Sequence, residues 1–112
     1  MTADERQFLM TAAWMFMRHG QPRRALAVCE ALLEDNPRDG VAAVALSGLL
    51  FDEGEAARVL DLLRGADVPP SLAHAEAVLE TRALRSLGRR SEAGARWQRY
   101  LESRKGAARR WI

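Results

Sequence analysis

His19, Cys29 and His74 are the side chains best suited to binding a metal or attacking a substrate, and none has the company that chemistry requires. The two histidines stand far apart, without cysteines or paired carboxylates at ligand spacing. Cys29 is the only cysteine, so an internal disulfide is impossible. It falls on an apolar helical stripe, which marks a buried structural thiol rather than a nucleophile. Asp52, Glu53 and Glu55 surround Gly54 but lack the regular alternation of a calcium loop. No glycine-rich phosphate loop is present, and no nucleophile has a base beside it. The sequence therefore predicts a protein that is not an enzyme, with no cofactor, no metal and no small-molecule substrate. What it offers instead is a set of apolar side chains at helical spacing, Met10, Trp14, Met17, Val41, Val44, Phe51 and Val78, followed by Arg82 and Arg85. Flexible thioethers repack around varied partners, and a tryptophan that becomes buried dominates interface energetics. Their chemistry is recognition of another polypeptide.

Three glycines organise the elements that must carry these residues. Gly20, Gly54 and Gly88 recur every 34 residues, the period of the tetratricopeptide repeat. A small residue follows five positions later at Ala25 and Ala93, and Pro37 closes the first unit. Glycine permits a sharp turn between antiparallel helices, alanine permits close approach, and proline ends the second helix. The expected fold is all-α: three helical hairpins, approximately 6–39, 40–73 and 74–107, stacked as a short right-handed solenoid with a concave groove. One hairpin cannot bury its apolar face alone, and about three are needed for stability.

Within the first unit, Thr2 or Asp4 is expected to cap a helix whose apolar residues wrap almost around it. Leu9, Ala12, Ala13 and Phe16 should pack inside the hairpin, leaving Met10, Trp14 and Met17 to the groove. Pro22 suits the first turn of the second helix, which carries Ala25, Leu26, Cys29, Leu32 and Leu33. Asp39 is the expected cap of the third helix, with Ala43, Leu46, Ser47 and Leu50 inward and Val41, Val44, Gly48 and Phe51 toward the groove. Val59 replaces the small residue of the repeat, and Gly65 with Val68-Pro69-Pro70 should shorten the fourth helix and bend the stack. Ser71 and Ser91 are the expected caps of the last two helices. The fifth places Ala75, Val78, Arg82 and Arg85 on the groove, so its surface changes from apolar to basic. The sixth carries Ala93, Trp97, Tyr100 and Leu101 inward and is weakened by Gly94. Trp111 and Ile112 are expected to fold back and cover it.

A chain of 112 residues fits one domain, 1–112. Its net charge of +2 conceals an asymmetry, since eleven acidic residues lie between Glu30 and Glu80 and ten basic ones between Arg82 and Ile112. That basic face, with Trp97, Tyr100 and Trp111 among its arginines, suggests nucleic-acid binding as an alternative of another class, although the aromatics fall on a packed stripe. Neither a leader pattern nor a membrane-spanning run is present, so a cytoplasmic location is expected.

The first hairpin, with Phe8-Leu9, Trp14, Gly20, Ala31-Leu32-Leu33 and Asn36-Pro37, resembles the small tetratricopeptide chaperones of bacterial type III secretion, most closely the YscY (SctY) family. The stretch RALRSLGRRSEAGARWQRYLE, from Arg82 to Glu102, is similar as well. The resemblance implies a cytoplasmic chaperone that forms a heterodimer with one small secreted protein of the YscX (SctX) type and brings it to the export gate at the inner membrane. Related chaperones hold the needle subunit or the translocators, which gives an alternative within the same systems. An apolar segment laid in the groove would bury about 800 Å² on each partner.

Overall fold

Each of the three glycines at 34-residue spacing adopts a positive φ, 69° at Gly20, 80° at Gly54 and 77° at Gly88. After each, the next amide reaches back to the last turn of the helix: Gln21 to Phe16, Glu55 to Leu50 and Arg89 to Leu84, at 2.8–2.9 Å. These are Schellman caps, in which a left-handed residue lets the chain reverse and satisfies carbonyls that the helix leaves open. Any L-residue with a Cβ would pay about 1–2 kcal/mol for that conformation.

The computed structural model describes the backbone of residues 1–109 and the side chains of residues 1–107. Among the described residues there are six α-helices and no strands: α1 Ala3–Arg18, α2 Pro22–Asp35, α3 Gly40–Asp52, α4 Ala56–Arg64, α5 Ala73–Ser86 and α6 Arg90–Arg109. Each packs on the next in sequence, and α3 also meets α5. Thr2 caps α1 by accepting from the Glu5 amide, and Asp39 caps α3 by accepting from Ala42. Pro22 opens α2, where its missing N–H costs nothing. The core gathers Ala13, Cys29, Leu46, Leu50, Ala56, Val59, Leu63 and Ala83. Ala25 and Ala93 are also sealed. Val59, which departs from the repeat, is wholly buried at the centre, while Ala43, Leu46, Ser47 and Leu50 point inward as their spacing predicts.

Two expected caps are corrected. Ser71 lies inside a 3-10 turn, Pro70–Leu72, and the residue before α5 is Leu72, which makes no side-chain cap. Proline at the head of that turn fixes a helical φ, so the chain enters α5 already wound. Ser91 is the second residue of α6 rather than its cap. The helix begins two residues earlier than a Ser91 cap would set it, because Arg89, directly after the turn, accepts the Ala93 amide on its carbonyl and pairs its guanidinium with Glu92. The expected packing of Trp111 and Ile112 falls outside the described residues.

The segment between α4 and α5 is stitched to the one between α2 and α3. The Asp67 amide donates to the Arg38 carbonyl at 2.9 Å, and the Arg38 guanidinium grips both Asp67 carboxylate oxygens. Gly40 makes the approach possible, because a Cβ there would overlap the Asp67 carbonyl and lie 2.6 Å from Val68 Cα.

Candidate interaction groove

The predicted groove residues are carried by α1, α3 and α5, and they do not share one concavity: six of the nine divide between two clefts. Met10 and Trp14 of α1 meet Val41 of α3 in a shallow cleft of about 380 Å³, rimmed by Arg6, Gln7 and Thr11. Val78, Arg82 and Arg85 of α5 line a second of about 210 Å³ with Thr81 and with Trp97 of α6. Phe51 connects α3 to the basic end, since the Arg82 guanidinium sits 4.9 Å above its ring. Val44 and Phe51 are half-buried against the core. Met17 is half-buried too but lines neither cleft.

Trp14 is the most open of the apolar set, with 51% of its surface exposed. One ring face is covered by the Arg18 guanidinium at 4.8 Å, a favourable cation–π contact. Amphipathic spacing accounts for the position. Ala13 turns to the core, and Trp14, the next residue on a helix of 3.6 residues per turn, is rotated about 100° away from it.

The Met10–Trp14–Val41 cleft is flanked by an ion pair between chain segments. The Arg6 guanidinium donates to both Asp39 carboxylate oxygens at 2.7 and 2.9 Å, and the same carboxylate accepts the Ala42 amide at 3.1 Å. The Arg6 hydrogen bond holds the Asp39 carboxyl below the ordinary carboxylate range, with burial opposing and the helix amides assisting. Neither Arg6, Gln7 nor Thr11 was expected at the site. Their spacing of three or four from Met10 and Trp14 is the signal that places them on its rim.

At the basic end, Arg82 and Arg85 make no ion pair among the described residues, and the Thr81 hydroxyl is buried without a hydrogen-bond partner. Trp97 and Tyr100 stack at 5.3 Å, with His74 at the edge of both. His74 Nδ1 lies 3.2 Å from the Tyr100 hydroxyl. Behind them Arg96 binds Glu80 at 2.8 Å and approaches Glu76 at 3.8 Å. Burial, together with the Glu80 charge, raises the Glu76 carboxyl above its ordinary range, and Arg96 partly offsets this. His74, Glu76, Glu80, Arg96 and Tyr100 line an open cleft of about 1040 Å³ that the sequence did not announce, because it depends on α5 meeting α6.

Cys29 is fully buried, and desolvation pushes its thiol up to about 11, which suits packing and not nucleophilic attack. Among the described residues no three His, Cys, Asp or Glu side chains gather to hold a metal, and no helix is long and apolar enough to cross a membrane. No family model, curated protein or solved structure matches the chain.

Proposed function

We propose that the chain is a short tetratricopeptide-like solenoid that acts as a type III secretion chaperone, holding an apolar segment of a small secreted partner of the YscX (SctX) type until export. The partner's apolar side chains would seat against Met10, Trp14 and Val41, and its polar or acidic positions would run toward Arg82 and Arg85. One observation supports this reading: Trp14 stands half-exposed in a cleft shared with Met10 and Val41 and rimmed by Arg6, Gln7 and Thr11, although Ala13, Leu46 and Leu50 are already sealed in the core. Folding alone gives no reason to leave so large a ring in water, whereas a partner that covers it gains most of its transfer free energy. Three identical glycine caps at the repeat interval support the solenoid. The nucleic-acid alternative draws less from the geometry, because Trp97 and Tyr100 are half-buried and each gives one ring face to the other.

The test is a pull-down from the source lysate with wild type, Trp14→Ala and Phe51→Asp, followed by mass spectrometry of the bound proteins. Trp14→Ala should cost about 2 kcal/mol of binding, roughly thirtyfold in affinity. A secreted protein of the type III apparatus should be lost from both variants. If both retain the same bound proteins, the groove has no role.

A further inference from the structure

Helix α1 has a second apolar face, turned away from the groove and from the core. Phe8 is 72% exposed and Met15 43% exposed, and at about 100° per residue the two lie on one side of the helix. Asp4 and Glu5 share that side in the first turn, Arg18 and His19 in the last, and all four are exposed. None of the four makes an ion pair among the described residues. Acidic residues at the start of a helix and basic ones at its end complement the macrodipole. That accounts for the charges and leaves Phe8 and Met15 unexplained.

The order of these residues is self-complementary. When a second α1 is laid antiparallel across the first, Phe8 falls opposite Met15, Glu5 opposite Arg18 and Asp4 opposite His19. Every pairing then occurs twice, as a two-fold axis requires. The axis passes between Thr11 and Ala12, whose small side chains let the helices come close. The register also sets the two helix dipoles antiparallel. A parallel arrangement would instead place acid against acid and base against base.

We propose that this face binds a second copy of the chain, forming a two-fold antiparallel α1 pair with Phe8 and Met15 at its centre and a Glu5–Arg18 ion pair at each end. A contact between two helices of four turns falls at the small end of specific interfaces, below about 1,200 Å² in total, the size of weak and transient association. The face lies on the far side of α1 from Met10 and Met17 and adjoins the groove only through Arg18, whose guanidinium also covers one face of the Trp14 ring, so it does not depend on the proposed chaperone role.

Sedimentation velocity of the full chain from about 5 to about 500 µM brackets the affinity such a contact supports. The wild type should pass from monomer to dimer across that range. Phe8→Asp should weaken association at least about thirtyfold, and Glu5→Arg and Arg18→Glu about tenfold each. The double variant Glu5→Arg with Arg18→Glu should recover to within about threefold of wild type, because the exchanged pair is again opposite in sign. All these side chains are exposed, and circular dichroism verifies that each variant retains its helices. A wild type that stays monomeric, a dimer untouched by Phe8→Asp or abolished by Trp14→Ala, or a double variant as weak as the single ones would each overturn the proposal.

Discussion

Replacing Asp39 tests how the hairpins are tied together, because one carboxylate there does two jobs. It is 6% exposed, caps α3 through the Ala42 amide and receives two hydrogen bonds from Arg6. Losing a helix cap costs about 1 kcal/mol. Charge-assisted hydrogen bonds can contribute more, but the Arg6 side chain is 39% exposed, and solvent screening reduces the pair to about 1 kcal/mol. Asp39→Ala should therefore destabilise by about 2 kcal/mol, which for a chain of this length lowers the melting temperature by about 8 °C. Asp39→Asn keeps the cap and loses the charge, so about half of that loss should remain. Urea denaturation of Asp39→Asn, Arg6→Ala and the double variant isolates a coupling of about 1 kcal/mol. The sign with pH is fixed: the folded carboxyl titrates below its unfolded value, so its contribution is complete above about pH 4 and is lost as the pH falls through the folded value. The wild type should thus converge on Asp39→Asn in acid. If the coupling is below about 0.3 kcal/mol and the two behave alike at neutral pH, the clamp contributes nothing and the cap alone explains the residue.

Four further outcomes follow from the packing. Gly40→Ala forces a Cβ into the Asp67 backbone and should destabilise by about 3 kcal/mol in urea titrations, whereas a loss under about 1 kcal/mol would mean that the linker yields freely. Gly94→Ala, at a helical position with open space around its Cβ, should stabilise by about 1 kcal/mol in thermal melts. The Cys29 thiol titrates near 11 in the fold and lower when unfolded, so its contribution to stability should fall as the pH rises from about 9 toward 11, and Cys29→Ser should flatten that decline. In native protein at pH 8 Cys29 should resist alkylation until urea unfolds the chain.

Much of the local structure was legible in one dimension because its causes are local. Glycine at a 34-residue interval dictates three left-handed caps, Thr2 and Asp39 start helices by accepting nearby amides, and apolar spacing separates Ala43, Leu46 and Leu50 from Val41, Val44 and Phe51. The serine caps failed for a local reason too. Pro70 winds the chain before Ser71 can act, and the carbonyl of Arg89 opens α6 one residue ahead of Ser91.

Contacts between distant segments were not legible. Nothing in the chain announces that Arg6 reaches Asp39, that Arg38 reaches Asp67, or that Gly40 is small because the Asp67 backbone lies against it. The apolar stripe was visible as a spacing, yet its separation into a cleft at Met10, Trp14 and Val41 and another at Val78, Arg82 and Arg85 was decided by how α1, α3 and α5 sit together. A helix records in its own sequence which side is apolar. Which of those side chains stay in water depends on the neighbours that reach them, and those neighbours are set by the packing of the whole fold.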